Sequence, residues 1–226
     1  GMLPRIFLQT TSAEEGARVA RGLQARGHGA FAYDTRNLVA SDRMLHVRRI
    51  AFETDDVLTN THPGGTDRLP LEDLQVVVVA AMRSDVVRTT REKDVNTTLR
   101  RRYGNPATVE REVTRHEHVV ERAAYWFLRT GRPWLLRESE AQYAALGPAM
   151  RPTRRENFDA MLALLRERAR GAVFDDRFAS QPLGAGQPVQ VRGNEAAVPS
   201  GADAANDLIV QVLAAWLVRP KGGVYR

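Results

Sequence analysis

Leu74-Gln75-Val76-Val77-Val78-Val79-Ala80-Ala81-Met82 is the stretch on which the fold turns. Four consecutive valines favour extended backbone, and with no polar residue at every second position the strand is expected to be buried on both faces or nearly so. Upstream, Leu45 to Glu53 (LHVRRIAFE) reads as a strand whose Ile50 and Phe52 share a face, and Asp55-Asp56 marks a tight turn into a returning strand, Val57 to Thr61. His62-Pro63-Gly64-Gly65-Thr66-Asp67 is a dense turn cluster before Arg68 to Leu74. Downstream, Asp85 to Thr90 is expected to pair back across Arg83-Ser84, and residues 91–110 read as an exposed, charged excursion. Pattern returns at Val119 to Arg129, where Tyr125-Trp126-Phe127-Leu128 leads through Thr130-Gly131-Arg132 into Pro133-Trp134-Leu135-Leu136. That is a second hairpin with aromatic residues at cross-strand positions.

The flanks are helical. Thr153 stands three residues before Glu156, a capping-box signal, and Phe158, Met161, Leu162, Leu165 and Ala169 follow at helical spacing up to Gly171. Near the N-terminus Ser12 and Glu15 repeat that spacing. A helix over Ala13 to Arg26, flanked by strands at Arg5 to Thr10 and Ala30 to Asp34, gives a β-α-β unit over 2–40. A body over 41–178 follows, with a Gly/Pro-rich linker at 179–199. The last element is an amphipathic helix over 200–219 whose stripe is Leu208, Ile209, Val212, Leu213, Trp216 and Leu217. The fold class is α+β, a mainly antiparallel, barrel-like sheet capped by the 153–170 helix.

Composition narrows the chemistry. The chain has 226 residues, 43% hydrophobic and 27% charged, enough to bury its own core without staples. It has no cysteine, which removes thiol nucleophiles, disulfides, iron-sulfur clusters and thiolate zinc sites. No apolar run approaches the roughly 18 residues of a membrane span, Gly1 ahead of Met2 reads as a remnant of tag cleavage, and the expected location is cytoplasmic. The net charge of +6 comes from 33 Lys+Arg against 27 Asp+Glu, and only Lys93 and Lys221 are lysines, leaving 31 arginines. That bias first reflects codon composition. Arginine still pairs bidentately with carboxylate and phosphate whatever its origin.

The order of strands over 45–90, hairpin over 119–138 and one amphipathic helix over 153–170 resembles a pleckstrin-homology-type barrel with its C-terminal helix. The likeness spans about residues 45–171 and implies a docking module for proteins or anionic headgroups; it carries no functional residue. The N-terminal unit is similar in outline to small bacterial signal-transducing domains.

Candidate chemistry is sparse. His116 and His118 lie at strand spacing, so both rings present to one side and can meet one metal ion if Glu110, Glu112 or Asp94 supplies a third ligand. His46 and His62 have no nearby serine or acid in a nucleophile-base arrangement, no catalytic constellation is legible, and no nucleotide-binding loop or other cofactor motif is present. Asp175-Asp176-Arg177 reads as a local ion pair or turn cap. Arg100, Arg101 and Arg102, with Arg111 and Arg115 nearby, form a basic segment suited to anions or a partner. Leu208, Val212, Leu213 and Trp216 form a stripe that docks on the body of the chain or is covered by a partner protein or a second copy of the chain. The expected function is a non-enzymatic interaction protein for a protein or anionic ligand, anionic lipid headgroups included. The alternatives are an enzyme or binding protein for a small anionic substrate, and nucleic-acid binding through 88–115.

Overall fold

The computed structural model describes residues 7–61, 65–95, 108–182 and 202–219; over 61, 83–119, 181–182 and 202–205 it describes the backbone alone. The class is α+β. Seven strands form one sheet: β1 (Leu45–Phe52), β2 (Asp56–Thr61), β3 (Gly65–Pro70), β4 (Leu74–Val95), β5 (Thr108–Leu128), β6 (Trp134–Arg137) and β7 (Val173–Pro182). Among the described residues three α-helices accompany them: α1 (Ala13–Gln24), α2 (Arg154–Arg168) and α3 (Ala202–Leu217).

The strand order is β3-β2-β1-β6-β5-β4-β7. Neighbours are mainly antiparallel, with β1 against β6 and β4 against β7 parallel. The chain forms two compact units, Gly1–Met82 with Glu121–Arg226, and Arg83–Val120. The second unit consists of the continuing stretches of β4 and β5 around 96–107.

The valine run behaves as its composition requires. Val77 and Val79 enter one apolar cluster with Ala124, Trp126, Trp134, Leu136, Phe158, Met161 and Leu165, so this face is covered by α2. Val76, Val78, Ala80 and Met82 enter another with Ala123, Tyr125, Leu135, Phe178, Val210, Leu213 and Ala214, so the opposite face is covered by α3. The alternation across β4, β5 and β6 is the two-residue period of extended backbone. In β1 the period is broken once: Leu45, Val47 and Ile50 share the α2 face. A register shift between Val47 and Arg49 supplies the extra residue, as a β-bulge does.

Barrel-like closure is not what this pattern produces: β3 and β7 stand as free edges of an open sheet. A small barrel keeps one face of its sheet inside and leaves the other to solvent, whereas here both faces of the central strands are apolar and each takes a helix. The expected turn at Arg83-Ser84 is absent, and β4 runs unbroken to Val95. That dipeptide lacks the Gly, Asn or Asp of a two-residue hairpin turn, and the β-branched Val86, Val87, Thr89 and Thr90 sustain the strand. Of the expected charged excursion over 91–110, residues 91–95 and 108–110 are strand, and 96–107 lie outside the described residues.

α1 forms as its cap requires, with the Ser12 hydroxyl accepting the Glu15 N–H at 3.2 Å and Gly27 in the left-handed region at φ 82°. The strands expected on either side of it do not: 7–10 and 30–34 are irregular, and Arg5-Ile6 lie outside the described residues. Residues 29–31 pack against the end of α3 instead. The Phe31 and Trp216 rings lie 5.7 Å apart, and Arg219 Nη1 donates to the Ala30 carbonyl at 3.0 Å.

α2 carries both halves of its capping box, Thr153 accepting from Glu156 N–H and Glu156 accepting from Thr153 N–H. β7 replaces the start of the expected linker, and Asp175 and Arg177 form their ion pair on that strand. The rest of the linker, 183–199, lies outside the described residues. Among the described residues no helix is long and apolar enough to cross a membrane.

Candidate functional site

A concave polar surface of the main unit is built where the parallel pair β1–β6 meets its connections. Its lining is Ser41, Asp42 and Arg43 from a 3-10 turn, Met44 just before β1, His46 and Arg48 from β1, Arg132 from the β5–β6 turn, Arg137 from the end of β6 and Glu140 from the turn after it. The cleft holds about 480 Å³, within the range of small-molecule sites.

Strand register explains the convergence. His46 pairs with Leu135 and Val47 with Leu136. Alternation then sends Leu45, Val47, Trp134 and Leu136 to the α2 face, and leaves His46, Arg48 and Arg137 for the other. The 3-10 turn is anchored from α3: Asp207 Oδ2 accepts the Ser41 N–H at 2.7 Å, and the Gln211 side chain accepts the Val39 N–H at 3.0 Å and donates to the Val39 carbonyl at 2.8 Å. Asp207 and Gln211 are buried, so these bonds stand in a low-dielectric setting where an unmade bond would be costly. On the far side, Glu121 Oε2 accepts the Ser139 N–H at 2.9 Å and steadies the turn that carries Glu140.

Within the cleft, His46 Nε2 lies 2.9 Å from the Ser41 carbonyl. A carbonyl oxygen only accepts, so Nε2 carries the hydrogen and Nδ1 is the nitrogen left toward Glu140, whose Oε2 lies 3.9 Å away. The other oxygen of Glu140 is 3.8 Å from Arg137 Nη1. Both separations exceed the 2.7–2.9 Å or so of a charge-assisted hydrogen bond. Arg137 is four-fifths buried, and its Nε is shut from solvent with no hydrogen-bond partner among the described residues.

Arg122 shows what a committed guanidinium looks like in this chain. Its Nε donates to Glu138 at 2.9 Å, its Nη1 to Asp159 at 2.6 Å and its Nη2 to the Arg155 carbonyl at 3.0 Å, while the group lies over the Phe158 ring at 5.0 Å. Burial works against its charge, and the hydrogen bonds to Glu138 and Asp159 outweigh it, so its pKa is raised further. Tyr143, at the start of the 3-10 turn over 144–149, donates to the Glu138 carbonyl at 2.9 Å; burial first, and the Glu138 charge second, push its phenol well above the ordinary range. Arg122 and Tyr143 hold the scaffold, and Arg137 is held by no such bonds among the described residues.

The expected site residues fall differently. Leu208 and Leu213 are buried in the chain's own core, Val212 and Trp216 are half-buried, and α3 is docked on the sheet. Of the two expected placements, on the body or on a partner, the stripe takes the first, because the second apolar face of β4 requires a cover. Arg111, Arg115, His116 and His118 lie on β5 with side chains outside the described residues, and Arg100, Arg101 and Arg102 lie wholly outside them. No group of three His, Asp or Glu among the described residues is arranged to hold a metal ion. His46, read from sequence as outside any nucleophile-base arrangement, has Glu140 3.9 Å from its Nδ1, brought there by the parallel pairing of β1 with β6, strands that stand far apart in the chain. The signal that marks the site in sequence is the alternation Met44-His46-Arg48 opposite Leu45 and Val47.

Comparison with known proteins returned no matching family model, no matching curated protein and no matching solved structure.

Proposed function

We propose that the protein is a binding module for a small anionic ligand, held in the cleft between β1 and β6. The observation that carries the reading is Arg137: a mostly buried guanidinium whose Nη1 stops 3.8 Å short of Glu140, with no hydrogen bond to a carboxylate among the described residues, in a cleft that also presents Arg43, Arg48 and Arg132. Buried donors are normally satisfied, and a planar fork with free donors fits an oxyanion bidentately. Four arginines face two carboxylates, Asp42 and Glu140, so the lining carries an excess of positive charge that favours an anion. Met44 is the one apolar side chain among the described lining residues, and no Phe, Tyr or Trp is among them, which favours a compact, strongly solvated ligand over one read by stacking.

The role is binding: the cleft offers charge and donors, with His46 engaged by a backbone carbonyl. The experiment is calorimetric titration of inorganic phosphate into the wild type and Arg137→Met, which keeps much of the side chain's length and removes the donors. Saturable one-site binding that weakens at least tenfold in the variant supports the reading. Absence of binding, or equal binding by both proteins, overturns it.

A further inference from the structure

Resting on the anion-binding reading of the cleft, we infer that Glu140 selects the ligand: it makes the site accept an oxyanion that still carries an O–H and reject one that is fully ionised. Glu140 is the carboxylate beside Arg137, the donor an incoming oxyanion would use, and beside His46 Nδ1, the ring nitrogen left without the hydrogen. One of its oxygens faces Arg137 Nη1 at 3.8 Å and the other faces His46 Nδ1 at 3.9 Å. Neither gap is closed by a hydrogen bond, so both groups are held near the acid without being committed to it.

An ionised carboxylate has acceptors only. A ligand whose oxygens are all bare acceptors brings lone pairs against the Glu140 oxygens, in a site where Glu140 is two-thirds buried and water screens the repulsion incompletely. A ligand that keeps one O–H can give that hydrogen to Glu140 and its remaining oxygens to the Arg137 fork. The repulsive contact then becomes a charge-assisted hydrogen bond. Discrimination built from one unpaired polar contact is strong, because the rejected ligand leaves both partners unsatisfied.

The groups around Glu140 are consistent with this division of labour. Arg43, Arg48 and Arg132 line the same cleft and supply general positive charge, which attracts either kind of anion. Asp42 lines it from the 3-10 turn and is exposed, so its charge is better screened than that of Glu140. His46 is fixed through Nε2 by the Ser41 carbonyl, whose turn is anchored by Asp207. Its ring therefore keeps Nδ1 directed at the acid and cannot rotate away to relieve an acceptor-only ligand without breaking that bond. The inference names the chemistry of the ligand: inorganic phosphate, or a small phosphorylated or hydroxylated acid in a form that retains a hydrogen on an oxygen beside its charge.

Phosphate and sulfate are the test pair, being alike in size and shape; at neutral pH phosphate retains an O–H and sulfate does not. Both are titrated by calorimetry into wild type and Glu140→Gln at matched ionic strength. The glutamine keeps the shape, removes the charge and adds an amide donor. The expected result is that wild type binds phosphate at least tenfold more tightly than sulfate, and that Glu140→Gln narrows the ratio to within about threefold, mainly by binding sulfate better. Wild type binding both anions equally overturns the role of Glu140 and leaves the anion site standing, without recourse to the variant. Preference for phosphate that persists unchanged in Glu140→Gln, with the variant's melting temperature intact, also overturns it. If neither anion binds either protein, the anion-binding reading falls, and this inference with it.

Discussion

Truncating Leu213 to alanine tests whether α3 is part of the core or a detachable surface helix. Leu213 is fully buried, and it packs in the cluster that contains Val76, Val78, Ala80, Met82, Tyr125 and Leu135. Leu→Ala changes at such positions cost about 2–5 kcal/mol, the lost transfer free energy plus a term for the cavity that remains. The centre of the sheet is rigid and cannot follow the missing side chain, so about 3 kcal/mol is the expected loss. For a chain of this size each kcal/mol lowers the melting temperature by roughly 2–4 °C, which predicts a fall of about 6–12 °C. Differential scanning calorimetry and far-ultraviolet dichroism should report it as one shifted transition, because α3 and the strands share a cluster. Val218→Ala is the control: Val218 is exposed just past the helix, and its truncation is expected to cost less than about 0.5 kcal/mol. An unchanged melting temperature in Leu213→Ala would refute the reasoning and return α3 to the surface.

Gly29→Ala should lower the melting temperature by several degrees, because a Cβ there would lie 2.6 Å from Trp216 Cη2 and the indole is itself packed against Phe31; a wild-type melt would contradict this contact. Arg122→Ala should cost about 3 kcal/mol, since it strands a mostly buried Glu138. Adding Glu138→Gln should recover part of that loss in a urea double-mutant cycle, and strict additivity would show that the pair is not coupled. Asp175 is buried, which by itself raises its pKa, but the hydrogen bonds and charge of Arg177 prevail and hold it below the ordinary 3.8. The folded state therefore binds the proton less readily than the unfolded one. The stabilisation is complete above the ordinary aspartate range and is lost as pH falls below it toward the folded value. The urea midpoint of Asp175→Asn should lack that share of the acid loss, and identical pH profiles from pH 6 to 3 would contradict the pairing.

Much of the framework was legible because local chemistry and tertiary demand agree there. Thr153 and Glu156 cap a helix in any context, and Tyr125 to Leu136 forms a hairpin whose turn residues and aromatic pairing point the same way; Trp126 and Trp134 stack at 6.1 Å. The valine run announced burial on both faces, but not which elements provide it, since a run of identical residues has no polarity to assign. The N-terminal strands failed for the opposite reason. Their apolar residues were real, yet the sheet edges are occupied by β3 and β7, and residues 29–31 are used on Trp216. β7 was missed because Asp175, Asp176 and Arg177 mask a strand whose apolar positions, Phe174 and Phe178, fall on opposite faces across register shifts. The cleft was illegible for a topological reason: its residues come from 41–48 and 132–140, joined by a parallel pairing of strands far apart in sequence. The arginine bias hid it further, as nothing in the sequence separates Arg137 from an arginine committed to a carboxylate.

The central claim is that an anion completes the Arg137 guanidinium. Its most direct test is nuclear magnetic resonance of arginine Nε–Hε groups during titration with inorganic phosphate, with Arg137→Lys and Arg122→Lys assigning the two signals by their disappearance. The account predicts that the Arg137 signal shifts saturably while that of Arg122, already bound to Glu138 and Asp159, stays in place. An Arg137 signal that does not move, or one that drifts linearly together with the exposed arginines, would contradict it.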